Sequence, residues 1–131
     1  MLSEYTTPGA SIELDDDQII YSLLTRRIER TVIASKKLAP GRWQDITAGE
    51  FHASVVSAAK GLIALGIAKG DAVTLFSSTR LEWGILDFAL AAVGAVSVPI
   101  YDTDSASQAQ RIMNDSAVKL AIADNRERYD R

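Results

Sequence analysis

Residues 70–123 read GDAVTLFSSTRLEWGILDFALAAVGAVSVPIYDTDSASQAQRIMNDSAVKLAIA, and this stretch decides the fold. Gly70-Asp71 marks a turn, and Ala72-Val73-Thr74-Leu75-Phe76 is a short run of strand-forming residues. Leu81 to Val93 is long enough for a helix and stops at Gly94. Ala95 to Ile100 is a second strand, Ala106 to Asp115 a second helix, and Val118 to Ala123 a third strand. Strand, helix, strand, helix, strand at these lengths is the grammar of a parallel sheet with right-handed crossovers. The three strands are expected to be neighbours in one such sheet, because each helix is long enough for a crossover. The helix Leu81–Val93 carries Trp83, Ile85, Leu86, Phe88, Ala89, Leu90 and Val93 around nearly all of its circumference, with Asp87 its only interior charge. That pattern predicts cover on both faces.

Upstream, Ala48 to Leu65 repeats apolar residues at three and four positions through Phe51, Val55, Ala58, Ala59 and Leu62, and Gly66 supplies a left-handed stop. Before it, Val32-Ile33-Ala34 and Trp43-Gln44-Asp45-Ile46 flank Ala39-Pro40-Gly41, a strand-turn-strand signature. A further helix is expected from about Asp16 to Arg30, with Ile19, Ile20, Leu23, Leu24 and Ile28 on one side. Residues 1–14 are polar, contain Pro8 and Gly9, and are expected to form a loose tail. A capping-box spacing recurs before the helices, as Asp15…Gln18, Thr47…Glu50, Thr79…Glu82, Ser105…Gln108 and Asp124…Glu127. In such a box the first side chain and the one three residues later satisfy each other's backbone donors.

Composition narrows the functional classes. The 131 residues suit one modest domain, with 47% apolar and 24% charged side chains. A net charge of −3 argues against nucleic acid as the main partner, because phosphate backbones need a basic face. The absence of cysteine excludes disulfides and thiolate zinc sites, and a single histidine excludes a His-rich metal site. Met1-Leu2-Ser3-Glu4 has neither the basic nor the apolar region of a signal peptide, which fits a cytoplasmic protein. The most apolar segment, Trp83 to Ile100, is interrupted by Asp87, Gly94 and Pro99 and does not read as a membrane span. No internal repeat is visible, and neither G-x-G-x-x-G nor G-x-x-x-x-G-K-[ST] occurs.

The residues Trp43-Gln44-Asp45-Ile46-Thr47, Glu50, Gly61-Leu62, Leu65-Gly66-Ile67, Lys69-Gly70-Asp71-Ala72-Val73, Glu82-Trp83, Gly94-Ala95-Val96, Val98-Pro99-Ile100-Tyr101 and Asp115-Ser116 stand in an informative order. Together they resemble the opening of the adenylate-forming acyl-CoA synthetases, most of all the long-chain fatty acid–CoA ligases. The resemblance covers about residues 15 to 124. No single piece is specific; the ordered set is. It implies that 15–131 is an incomplete N-terminal part of a large AMP-binding domain. The fold class is then α/β: a mainly parallel sheet with flanking helices, plus a β-hairpin. It also implies a parent enzyme that uses ATP, Mg²⁺ and CoA to turn a fatty acid into its CoA thioester, releasing AMP and pyrophosphate. Such a parent works in the cytoplasm or on a membrane periphery.

The family's Ser/Thr/Gly-rich phosphate loop, adenine and ribose motifs, and catalytic lysine have no counterpart in this sequence. The expectation is therefore a truncated piece that is catalytically silent and tends to self-associate through apolar surface made to be covered. The rival expectation is a self-contained α/β binding module without catalysis. Whether the source reading frame continues for several hundred codons past Arg131 separates the two.

Candidate site residues follow from position. Tyr101, Asp102, Thr103 and Asp104 come just after a strand, where open α/β sheets bind ligands. In relatives among the acetyl-CoA synthetases, the resemblance implies, this loop borders the CoA tunnel. Two arginines three apart reach the CoA nucleotide phosphates there, and Arg128 and Arg131 match that spacing. The simpler readings are a turn with a cap, and solvated arginines. Asp102 and Asp104 with no third ligand make a weak metal pair. Ser77-Ser78-Thr79-Arg80 opens a helix and has an anion-binding geometry, although Thr79 as cap accounts for it without a ligand. His52 reads as structural, Asp15-Asp16-Asp17 as acidic residues at a helix start, and Trp43 and Trp83 as core or interface anchors.

Overall fold

The computed structural model describes residues 32–130, and for residues 33–39 the backbone alone. The tail, the helix expected over 16–30, its Asp15…Gln18 box and Arg131 lie outside the described residues. Strand β1 (Val32–Ala39) pairs antiparallel with β2 (Arg42–Thr47), and the turn at Pro40-Gly41 places Gly41 at φ 74°. Both strands are longer than the apolar runs that signal them. Of the two tryptophans, Trp43 is 63% exposed on this hairpin, and Trp83 is the one packed against the core.

Helix α1 (Ala48–Ala64) starts at a complete capping box. The Thr47 hydroxyl accepts from the Glu50 N–H at 3.2 Å, and the Glu50 carboxylate accepts from the Thr47 N–H at 2.8 Å. The helix ends on Gly66 at φ 84°, and the Ile67 N–H reaches back to the Leu62 carbonyl at 3.0 Å. Glycine is needed there because a Cβ disfavours the left-handed region.

Strands β3 (Ala72–Phe76), β4 (Val96–Ile100) and β5 (Leu120–Ala123) form one parallel sheet in the order β4-β3-β5. Helix α2 (Leu81–Val93) joins β3 to β4, α3 (Ala106–Asp115) joins β4 to β5, and the short α4 (Arg126–Tyr129) follows. The three expected strands are thus parallel neighbours, as their spacing requires. The first crossover moves one way across the sheet and the second moves back past β3. Right-handed connections therefore put their helices on opposite faces.

The packing agrees. Val73 and Leu75 point into a core with Phe51, Val55 and Leu62 of α1 and Ala89 and Leu90 of α2. Phe76 points the other way, into a smaller cluster with Ile100 and Ala109 of α3. Phe51 and Phe88 meet edge to face at 5.8 Å and 85°, locking α1 to α2. Leu75 and Leu90 are wholly buried, and truncating either to Ala costs about 2–5 kcal/mol. Helix α2 departs from its expected double cover: among its residues only Ala89 and Leu90 are fully buried, and the rest are half-buried. Its apolar circumference therefore exceeds what α1 and the sheet enclose.

Candidate functional site

At the carboxyl ends of β3 and β4 the chain leaves two adjacent strands toward opposite faces. That divergence opens a crevice, the place where open α/β sheets hold ligands. Here it is a cavity of about 300 Å³ lined by Ser77, Thr79 and Trp83 on the β3 side and Pro99, Ile100 and Tyr101 on the β4 side. Tyr101 is 71% exposed at its mouth. Behind it, on the α2 face of the sheet, a second cavity of about 240 Å³ has an apolar floor that includes Leu75, Leu86 and Ile122. Arg80, Glu82 and Asp124 stand among its polar lining residues.

The loop after β4 is shaped by its own polar groups. The Asp104 carboxylate accepts from the Tyr101 N–H at 3.0 Å, closing the turn. Ser105 then begins α3 with a full capping box to Gln108. The expected turn-and-cap role of Asp104 and Ser105 is therefore present, and it leaves Tyr101, Asp102 and Thr103 exposed.

Two expected caps are absent. Thr79 does not cap α2; the N-cap is Arg80, in extended conformation with no side-chain cap bond. Its guanidinium instead bonds Glu82 at 2.9 Å, so the acidic first turn is satisfied by a cation and not by a box. Asp124 does not cap α4; Asn125 does, accepting from the Arg128 N–H at 2.9 Å. Asp124 is freed for a longer-range role. One oxygen accepts from both the N–H (3.1 Å) and the hydroxyl (2.9 Å) of Ser78, and the other accepts from Arg128 and from the Asn125 amide (2.9 Å). Within Ser77–Arg80, Ser78 thus holds an anion, the protein's own Asp124 carboxylate.

Arg128 is the second hub. Its side chain is 15% exposed, its partner Asp124 is 7% exposed, and its guanidinium lies 5.7 Å from the centre of the Phe76 ring. Its other terminal nitrogen stands 3.7 Å from Asp102, whose side chain is 49% exposed. One arginine thus connects the loops after β4 and β5, and through Asp124 the loop after β3. Burial works to raise the Asp124 pKa. The hydrogen bonds from Arg128 and Ser78 and the nearby positive charge outweigh it and hold the carboxyl at about 2.

Of the residues singled out by sequence, Tyr101 lines the crevice, Asp102 and Thr103 follow it in the same exposed loop, and Arg128 approaches Asp102 from α4. Ser78 and Asp124 as a joint were missed. The available signal was the parallel register, since Phe76 pairs with Ala123 and the two residues lie just beyond that pair.

An open parallel sheet with helices on both faces and a crevice at diverging strand ends defines an open-sheet α/β protein. The chain belongs to the AMP-binding enzyme family, whose pattern matches residues 24–131. Among curated relatives it is 48% identical over 89 residues to the long-chain-fatty-acid–CoA ligase FadD15 of Mycobacterium bovis, a match that covers 68% of this chain and 15% of that protein. It is 34% identical over 85 residues to the uncharacterized protein Rv1549 of Mycobacterium tuberculosis, covering 65% of this chain and 49% of that one. Among solved structures, the Mycobacterium tuberculosis fatty acyl CoA synthetase superposes with a TM-score of 0.71 at 31% identity, over 80% of this chain and 21% of that chain. The fold is that of the N-terminal domains of adenylate-forming enzymes, including the N-terminal domain of FACL13 from the same organism. No helix among the described residues is long and apolar enough to cross a membrane.

Proposed function

We propose that this chain forms the N-terminal part of a long-chain fatty acid–CoA ligase, which joins a fatty acid to CoA through an acyl-adenylate at the expense of ATP. The observation that carries the reading is the 48% identity to FadD15 across 68% of the chain. Within such an enzyme, which works in the cytoplasm or on a membrane surface, the chain contributes scaffold and one wall of the CoA entrance. In this reading Tyr101, Asp102 and Thr103 are the wall residues, and Arg128, with Arg131 three positions on in the sequence, serves the nucleotide phosphates. The crevice suits a slender, weakly polar arm, since its lining combines Pro99, Ile100 and Trp83 with the hydroxyl-bearing Ser77, Thr79 and Tyr101. ATP and Mg²⁺ fall to other parts of the enzyme. Among the described residues no group of three or more His, Asp or Glu side chains is placed to hold a metal ion.

The test is fatty-acid-dependent exchange of labelled pyrophosphate into ATP, followed by capture of acyl-CoA. The full reading frame is expected to perform both steps with long-chain acids. The 131-residue chain alone is expected to perform neither, because adenylation needs an anion cradle and an electrostatic clamp on the phosphorus under attack. Exchange by the chain alone, abolished by a substitution within 15–131, would show a complete enzyme. One observation favours a second reading, a self-contained binding module: the matched segment makes up 49% of Rv1549, a far larger share than of FadD15. That reading expects the chain alone to bind its ligand at full affinity.

A further inference from the structure

The two carboxylates around Arg128 are not equivalent. Asp124 is fully engaged: both of its oxygens are hydrogen-bonded, and it is nearly buried. Ser78 fixes it to the loop after β3, and the guanidinium of the arginine it holds lies over the Phe76 ring. Asp102 is the opposite case. It is half-exposed, and its only ion pair among the described residues is the 3.7 Å approach to the far nitrogen of Arg128. That distance is too long for a hydrogen bond and close enough for charge attraction.

We infer that Asp124 is the anchor that aims Arg128, and that Asp102 is a counter-ion occupying its outer face until a phosphate-bearing ligand displaces it. The inference rests on the CoA reading above and adds a division of labour that reading lacks. A phosphate carries more charge than a carboxylate and accepts the guanidinium fork in a bidentate way, so it outcompetes a loosely held aspartate. The anchor must not exchange, or the fork would swing toward solvent. A fully satisfied, buried carboxylate meets that need. In this arrangement Asp102 lowers the affinity for the anion and keeps Arg128 docked when no ligand is present.

The experiment measures KM for CoA and for ATP in the full-length protein, with adenosine 3′,5′-bisphosphate as a competitive probe of the phosphate end. Asp102→Asn is expected to lower KM for CoA and the inhibition constant of the bisphosphate about two- to fivefold, the size of an exposed charge pair. The shift in KM for CoA should exceed any shift in KM for ATP. Asp124→Asn is expected to raise KM for CoA about tenfold or more, as loss of a buried partner does. Arg128→Lys keeps the charge, loses the fork, and should fall between wild type and Asp124→Asn. It also carries the anchor's side of the test if Asp124→Asn does not fold. A purely structural role would lower the unfolding temperature and reduce turnover without separating the two KM values. Wild type that makes acyl-CoA, paired with an Asp102→Asn KM that is unchanged or higher, overturns the inference alone. Wild type without CoA-dependent activity overturns the ligase reading, and this inference with it.

Discussion

Asp124 and Arg128 stand one helical turn apart and close an ion pair that is almost entirely out of solvent, although neither belongs to the hydrophobic core. The pair joins the loops beyond all three parallel strands. Ser78 meets Asp124 from the end of β3, and Asp102 meets Arg128 from the end of β4. The carboxyl end of this sheet is held by charge, while its interior is held by Leu75, Val73 and Leu90.

This sets a pH dependence. Asp124 has its folded pKa depressed to about 2, against about 3.9 for an unfolded aspartate. Its stabilisation is therefore complete above about pH 4 and is lost as pH falls through about 2. Allowing for screening at the loop rim, the step amounts to about 1–2 kcal/mol. Glu50 and Asp71 are also lowered, the first mainly by the Thr47 backbone and the second mainly by Lys119, so they add to the acid loss with the same sign. Urea unfolding between pH 2 and 7 should show this decline, and Asp124→Asn should flatten part of it. At pH 7 that substitution should cost about 2–4 kcal/mol, because it leaves Arg128 without its buried partner. A variant as stable as wild type at pH 7 would refute the anchoring role.

Thr74 offers the reverse case. It lies in the central strand, fully buried, and its hydroxyl has no hydrogen-bond partner among the described residues. It faces a small cleft of about 140 Å³ shared with Phe76, Ala109 and Met113. An unmet buried hydroxyl costs about 1–3 kcal/mol, and valine has nearly the same shape. Thr74→Val is therefore expected to raise stability by about 1 kcal/mol in denaturant titration. A loss of stability would mean that the hydroxyl has a partner.

Two glycines should respond in opposite directions to alanine. Gly94 ends α2 at φ 76°, and a Cβ there would stand 3.1 Å from Lys69 Cγ. Gly94→Ala should cost about 1–3 kcal/mol from left-handed strain and crowding together. Gly61 lies inside α1 with nothing within 4 Å of an added Cβ. Gly61→Ala should stabilise by about 0.5–1 kcal/mol. Equal effects of the two in thermal unfolding would contradict the backbone argument.

These positions show what local sequence discloses. Strand β3 and helices α2 and α3 end where their turn and stop signals place them, because Gly94, Ser105 and the β-branched runs act over a few residues. That the three strands lie in one parallel sheet followed from spacing, and the strand-end rule singled out Tyr101, Asp102 and Thr103, which lie in the exposed loop after β4. The Thr79 and Asp124 boxes failed although their spacing is correct, because the box pattern registers neither a distant competitor nor a local one outside the pattern. Asp124 finds a better set of donors in Ser78, 46 residues away, and in Arg128. Arg80, pairing with Glu82, begins α2 in place of Thr79. The site's charge logic was hidden in the same way, since only the fold reveals which of several carboxylates meets Arg128.

The last prediction concerns association. Both outer strands of the three-stranded sheet, β4 and β5, have a side without a strand partner among the described residues. Val96 is half-exposed at the start of β4, and Ile63, Leu65 and Trp43 are large apolar side chains open to solvent. Unpaired backbone groups beside apolar side chains are a template for pairing with another chain. Helix α2 adds to this, as its apolar circumference is only half enclosed. The 131-residue chain alone is therefore expected to form dimers or larger species at high micromolar concentration, seen by sedimentation velocity. Val96→Lys places a charge on the exposed edge and should shift the distribution toward monomer, because like charges and lysine on edges oppose strand addition. In a longer ligase of the kind proposed above, where further chain would cover these surfaces, the same substitution should change assembly little. A single sharp monomer of the wild-type chain at that concentration would end the idea, and an unchanged Val96→Lys distribution would move the contact away from the β4 edge.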